Sequence, residues 1–308
     1  MAAEPLRELV DNRDVECLLE ALRKDLPDSI HIFTRIATAL RWRRQGLDDG
    51  DVQVSFYRGV DEGDATDGHT TAVAVMRVEG MPEPNVSLHT TDASCAALRR
   101  VLADSEHIPW DESIRFESVH ERCLPDLLAA IRAHGDPRPA LLKTDKMLLP
   151  RDECLRLEVR DPGPGLALRP LEPRHAKRVN DHWAYRTTGS ERMIAITIER
   201  SPGMSWGVFT EEDPQGDPVA FVMGAWFGGL AILHTMDSHR RRGLGELVTR
   251  AACRAAATQT GFDSHANIVT PNPASEATLA KVGYRQVCKC TWVDYTAPGR
   301  LTPKSPFL

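Results

Sequence analysis

The sequence predicts a mixed α/β chain, an α+β arrangement around a mixed sheet, built from two halves of related fold. Three observations point there. Val- and aromatic-rich strand-like runs alternate with stretches of helical apolar spacing along the chain. The segment RDPGPGLALRP (160–170), with three prolines and two glycines, interrupts that alternation near the middle. The pentapeptides LHTTD (88–92) and LHTMD (233–237) each stand at a strand-to-helix junction, and the order of elements around them is similar. The expected boundary lies near residue 162, giving halves 1–161 and 162–308.

In order, Leu18 to Leu26 and Ile30 to Leu40 carry helical spacing. VQVSFYRGV (52–60), TAVAVMRV (71–78) and NVSLHTT (85–91) read as strands, with DEGDATDGH (61–69) as a polar turn. DASCAALRRVLAD (92–104) returns to helix with Asp92 as N-cap. SIRFESVH (113–120) is a strand, and LPDLLAAIRAHG (124–135) a helix ending on Gly135. Beyond the linker, EPRHAKRVNDHW (172–183) and SERMIAITIER (190–200) are helical, while MSWGVF (204–209) and PVAFVMGAW (218–226) are strands. Phe227-Gly228-Gly229 turns into the strand LAILHTM (230–236). A long helix (244–261), a strand SHANIV (264–269), a helix (273–283) and a last strand (284–295) follow.

Composition narrows the function. The 308 residues, 42% of them hydrophobic, suffice for a substantial core. A net charge of −6 argues against general nucleic-acid binding, which needs a broad basic field. No run of 18 apolar residues occurs, so no membrane span is expected. The first twenty residues lack a cationic and an apolar region and read as neither a signal peptide nor a strong transit peptide. Seven scattered cysteines without a C-x-x-C pair predict a reduced, intracellular protein with no structural metal; Cys288 and Cys290 would share one face of a strand.

The sharpest local feature is HRRRGLG (239–245), between a strand and a helix. The first turn of a helix has backbone N–H groups without intrahelical partners, and its dipole favours an anion. Glycines let the backbone approach that anion, and guanidinium groups suit phosphate. A pyrophosphate site is the favoured reading. A solvated helix start and a nucleic-acid or nuclear-import patch are the alternatives; the first opposes the helix dipole, and the second needs a longer basic run. Neither the G-x-G-x-x-G nor the G-x-x-x-x-G-K-[ST] phosphate loop is present.

Arg240-x-x-Gly243-x-Gly245 after a strand resembles the R/Q-x-x-G-x-G/A acyl-CoA motif of the GNAT N-acyltransferase superfamily. NPASEATLAKVGY (272–284) is similar to that superfamily's later motif, through Asn272, Ser275, Leu279, Lys281, Gly283 and Tyr284. Asn272 before Pro273 also suits a helix N-cap and first turn. More narrowly, LPDSIHIFTRI, VNDHW (179–183), GSERMI (189–194) and HTMDSHRRRGL (234–244) resemble the glycine N-acyltransferase-like family. That family joins a degenerate GNAT-like N-terminal half to a GNAT C-terminal half.

The resemblance implies direct attack of an amine on an acyl-CoA, acetyl or longer or aromatic, in a ternary complex. Leu233, Thr235 and Met236 would lie beside the pantetheine arm, a backbone N–H there meeting the developing oxyanion. Arg240, Arg241, Arg242, Gly243, Leu244 and Gly245 would hold the pyrophosphate, with Asn272 and Ser275 on the far side of the thioester. The acceptor would be a small molecule, an amino acid such as glycine or another amine, with Trp183 and Tyr185 near its pocket; no nucleic-acid, membrane or metal partner is expected. The compartment would be the cytoplasm or the mitochondrion. Two residues depart from the pattern. Gly229 aligns where the glycine-conjugating relatives carry a glutamate base, with no Asp or Glu between Val219 and Met236, and Leu279 replaces a general-acid tyrosine. Proton transfer then falls to His234, at the end of the strand, with His265, read as alternating with Asn267 on the next strand so that one of the two faces the cleft, as the second candidate; Asp237 and His239 are further candidates, and Glu246 is more distant. His89 in the first LHT copy makes the histidine a feature of the fold as well as a candidate base. An acetyltransferase of peptide or protein amines, and a CoA-binding module without activity, are the competing functions.

Overall fold

The computed structural model describes residues 3–47, 50–60, 68–213 and 215–300; most of the expected turn at 61–69 lies outside them. The order strand, two helices, three strands, helix, strand, helix, strand occurs twice. The first pass runs β1 (Leu6–Glu8), α1 (Asn12–Arg23), α2 (Ile30–Arg44), β2 (Val52–Gly59), β3 (Thr71–Val78), β4 (Asn85–Thr90), α3 (Ala96–Asp104), β5 (Ile114–His120), α4 (Leu124–Ala133) and β6 (Ala140–Leu149). After the short helix α5 (Arg151–Arg156) comes β7 (Leu166–Pro170), a 3-10 turn at Pro173–His175, α6 (Ala176–Asp181), α7 (Ser190–Arg200), β8 (Trp206–Thr210), β9 (Ala220–Gly224) and β10 (Leu230–Thr235). A second 3-10 turn (Asp237–His239), α8 (Leu244–Thr260), β11 (Ser264–Val269), α9 (Pro273–Val282) and β12 (Arg285–Tyr295) complete it.

Two compact units result, Met1–Thr144 with Cys288–Leu308, and Asp145–Val287. The Pro/Gly segment at 160–170 falls inside the second unit, because Leu155, Leu157 and Val159 just before it already pack into that unit's core. In the first unit the strands follow the order β1-β2-β3-β4-β5-β12, antiparallel except for the parallel pair β4–β5. Val73, Val86, Leu98, Phe116, Leu127, Ile131, Val293 and Tyr295 form its core.

The second unit has the order β6-β11-β10-β9-β8-β7, with β10 and β11 parallel and the β7-β8-β9-β10 run antiparallel. Helix α8 lies against it through Leu244, Leu247, Val248, Ala251 and Ala252, the i, i+3, i+4, i+7, i+8 stripe of an amphipathic helix. Each fully buried Leu or Val there contributes about 1.5–3 kcal/mol. Gly261 ends the helix in the left-handed conformation that its lack of Cβ permits. Four elements lacked a sequence signal: β1, β6, α5 and β7. The stretch read as one helix at 172–183 is instead a 3-10 turn followed by α6, which ends before His182. No described helix is long and apolar enough to cross a membrane.

Candidate active site

The site is built around the end of β10. Antiparallel to β9, β10 pairs Leu230 with Gly224, Ala231 with Met223, His234 with Phe221 and Thr235 with Ala220. Ile232 and Leu233 therefore face Val222 alone, a β-bulge. Ile232 adopts φ of 52°, a left-handed conformation that a β-branched residue rarely takes, and such outliers concentrate at functional sites. On the other side, β11 meets β10 in register at Leu230 and Ala266, and no later pair joins them among the described residues. Ala231 to Thr235 are accordingly half-buried, with backbone on the β11 side not committed to a strand partner.

Beyond Thr235 the chain turns through Asp237–His239 into the start of α8. Arg240, Arg241 and Arg242 are exposed. Arg240 donates from Nε to the Thr235 carbonyl at 3.3 Å and pairs with Asp237 at 2.7 Å. Arg241 and Gly243 both have positive φ, 64° and 76°. Gly243 is the N-cap and offers no side chain to the first-turn N–H groups, which leaves them for an outside acceptor. A Cβ on Gly243 would meet the Arg160 guanidinium, so a fourth cation stands at this helix start. Gly245 lies against Thr235, whose Oγ1 would be 3.4 Å from an added Cβ, which seats the first turn of α8 beside the end of β10. The donors and charge fit a pyrophosphate.

His234 projects from the bulged strand. Its ring lies 4.7 Å from that of His182 and 5.7 Å from that of Phe221, centroid to centroid. Burial, reinforced by the nearby His182 and Arg240, holds the imidazole below its ordinary titration range, so it is neutral at neutral pH. His265 is different: it is fully buried under the Phe227-Gly229 turn, its ring 5.7 Å from Phe227. His265 and Asn267 are two apart on β11 and so share a face rather than alternating, with Asn267 the half-buried member. Asp237, His239 and Glu246 are engaged with Arg240, Ser238 and Arg250.

Asn272 caps α9, its side-chain oxygen accepting from the Ser275 N–H at 3.2 Å, while Glu276 accepts from the Asn272 N–H. The start of this motif is thus capped from both sides, by Asn272 on the Ser275 N–H and by Glu276 on the Asn272 N–H. Trp183 is half-buried and meets Trp226 edge to face at 6.1 Å. Tyr185 is half-buried, and burial raises its phenol above the usual range. Leu279 sits in the core, and a Cβ on Gly229 would come within 2.7 Å of the His265 carbonyl oxygen. Position 229 is thus closed to a side chain by the β11 backbone and the His265 ring. Two site residues, His182 within VNDHW and Arg160 at the start of the Pro/Gly segment, are not marked as site residues by the sequence, because each reaches the site through a tertiary contact. Among the described residues no cluster of His, Cys, Asp and Glu could hold a metal.

The first unit repeats the frame with its contents replaced. β4 and β5 pair in parallel at Asn85–Arg115 and Val86–Phe116, again at their starts. Here Asp92 fills the helix start, its carboxylate accepting from the N–H groups of Ser94, Ala96 and Ala97. Arg122 donates to the Thr90 carbonyl at 2.7 Å, and His89 meets Asp25 at 2.6 Å. An acidic side chain of the chain itself stands where the second unit presents arginines.

A parallel strand pair joined only at its start recurs in both units, while the bulged inner strand and the open, phosphate-suited helix start belong to the second. The fold is that of the GCN5-related N-acetyltransferases. Residues 205–293 match the family described as FR47-like protein. A Drosophila protein of known structure is 21% identical, with a TM-score of 0.82, 96% of this chain and 99% of that one being covered. A GCN5-related N-acetyltransferase from Sphaerobacter thermophilus is 13% identical over 96% of this chain and 97% of its own, with a TM-score of 0.54. A tandem GNAT protein from the clavulanic acid biosynthesis pathway is 15% identical over 96% of this chain and 99% of its own, with a TM-score of 0.52. No curated protein matches significantly by sequence. These structural similarities show the GNAT fold and are consistent with two GNAT-like halves, the second of which carries the phosphate-suited turn.

Proposed function

We propose that the second unit, Asp145–Val287, is an acyl-CoA-dependent N-acyltransferase acting on a small-molecule amine, and that the first unit is its degenerate counterpart. The observation that carries the proposal is the strained bulge at Ile232, running into an arginine–glycine turn at the start of α8 with a neutral His234 beside it.

Arg240, Arg241, Arg242 and the first-turn N–H groups after Gly243 hold the pyrophosphate of CoA, and Arg160 adds charge to the same place. Leu233, Thr235 and Met236 flank the pantetheine, whose amides pair with the open edge of β10. Asn272 and Ser275 border it from α9. CoA supplies the activated acyl group. A backbone N–H of the bulged segment donates to the thioester oxygen, where negative charge develops during attack.

An alkyl ammonium has a pKa of about 10, so the acceptor must lose a proton before it attacks. His234 takes it. Being neutral near neutral pH, it has a lone pair ready, and its position on β10 sets it next to the thioester. Trp183 and Tyr185, with Trp226, give the acceptor an aromatic surround. The closed glutamate position at Gly229 separates this site from the glycine-conjugating pattern, so the acceptor is an amine other than glycine as readily as glycine itself. His265, buried beneath Gly229, supports β11 and takes no proton from the acceptor. A CoA-binding module without turnover is the second reading, favoured by the core placement of Leu279.

The test is a steady-state assay of free thiol with acetyl-CoA and benzoyl-CoA against a panel of amines. Turnover of small amines supports the proposal. Turnover with peptides alone moves the activity to protein amines, and CoA binding without turnover on any acceptor favours the module.

A further inference from the structure

His182 follows α6 directly, as its C-cap residue. Its Nδ1 lies 2.9 Å from the carbonyl oxygen of Arg178, four residues back on the same helix. A carbonyl only accepts, so Nδ1 carries the hydrogen and Nε2 carries the lone pair. The ring is half-buried, meets His234 at 4.7 Å and 46°, and shares with it the wall made by Phe221, 6.3 Å away. Two imidazoles this close do not both hold an extra proton, because each positive charge disfavours the other.

The first unit shows that this contact belongs to the fold while its chemistry does not. Asp25, just beyond α1, meets His89 of β4 as His182, just beyond α6, meets His234 of β10. The Asp25–His89 pair is direct, and His89 is only 2% exposed. A carboxylate partner that is ionised only accepts a hydrogen bond from the histidine, whereas an imidazole partner has a lone pair of its own and can take a proton from it.

We propose that His182 is the positioning and relay residue of the acyl transfer, keeping His234 neutral and carrying the abstracted proton from it to solvent. The inference rests on the acyltransferase reading above. As the amine nitrogen–carbon bond forms and the carbon–sulfur bond breaks, the amine proton passes to His234. From His234 it moves to Nε2 of His182, by ring rotation or through one water, and then to bulk water; the departing thiolate takes a proton from solvent. The Arg178 carbonyl, holding Nδ1–H, stabilises the transient imidazolium at the C-terminal end of α6. The other charged groups facing the pair are Arg178 itself and, from the turn after β10, Asp237 and Arg240. Asp181 beside His182 is already bonded to Lys177 at 2.7 Å.

Two variants of the full chain test this, read by histidine Cε1 NMR titration, CoA affinity and the pH profile of kcat. His182→Asn keeps an N–H for the Arg178 carbonyl but has no second basic nitrogen. It is expected to leave the Kd for CoA unchanged, lower kcat on the order of tenfold or more, and shift the titration of His234 upward because the neighbour that competes with it for a proton is gone. His182→Asp recreates the pair of the first unit and is expected to shift it further up. An unchanged kcat and profile in His182→Asn overturns the relay and leaves His234 as the base. A fall in kcat without any movement of the His234 titration reduces His182 to packing and also overturns it. A wild-type chain that turns over no acyl-CoA on any amine overturns the acyltransferase reading and the relay together.

Discussion

Replacing Gly243 by aspartate separates the phosphate site from the stability of the fold. The new side chain must adopt φ of 76°, a left-handed conformation costing an L-residue roughly 1–2 kcal/mol, less for aspartate than for most. Its Cβ meets only the Arg160 guanidinium, the far end of a flexible side chain that can move aside. A carboxylate at the N-cap of α8 returns only a few tenths of a kcal/mol relative to glycine. The net loss of stability is therefore about 1–2 kcal/mol, several degrees in Tm, and the variant should still fold. Binding is another matter. A carboxylate about 4 Å from a phosphate charge, at an effective dielectric of about 20, repels it by roughly 4 kcal/mol. At 1.4 kcal/mol per decade that is about a thousandfold loss of affinity. The assay is calorimetric titration of CoA into the folded variant, with melting followed by circular dichroism. Gly243→Ala, which keeps the strain and adds no charge, should lose less than about tenfold. A folded Gly243→Asp protein that binds CoA as the wild type does would refute the assignment of the anion to this helix start.

Removing the imidazole in His234→Ala should leave CoA affinity intact and lower kcat by about 10²–10⁴, with loss of the low-pH limb of the rate profile; a wild-type profile in the variant would remove His234 from the chemistry. Because burial and then His182 hold the imidazole below its ordinary value of 6.5, wild-type kcat should fall as pH is lowered with a midpoint below 6.5, as His234 gains a proton. Gly229→Glu, which writes in the carboxylate of the glycine-conjugating pattern, should not raise glycine turnover. Its Cβ falls 2.7 Å from the backbone oxygen of His265, and overpacking of about 1–3 kcal/mol should lower Tm by roughly 2–10 °C; a stable, faster enzyme would show that β11 can yield there.

What could be read from the residues follows from how local each signal is. The turn into α8 is set by Gly243 and the arginines before it, and α9 by Asn272-Pro273, so both helix starts were legible from their capping chemistry. Asp92 was legible as a cap even though α3 begins at Ala96, since its carboxylate reaches forward to the first helical N–H groups. β6 was not, because ALLKTDKMLL mixes charge into a strand whose Lys146 is nonetheless buried. α5, at six residues, is shorter than any window in which helical spacing shows. In the site, His234 could be chosen from its place at the strand end. The demotion of His265 depends on which face of β11 lies under Gly229, and the partnership with His182 depends on how α6 packs; neither is a property of local spacing.

Hydrogen–deuterium exchange of the full chain with and without CoA tests most directly the claim that the second unit binds acyl-CoA along β10 and at the start of α8. Binding there predicts slowed exchange in the amides of 231–236 and 240–246, and none at 88–97, where Asp92 and Arg122 already fill the equivalent positions. Protection at 88–97 in place of 231–246, or no protection at saturating CoA, would contradict it.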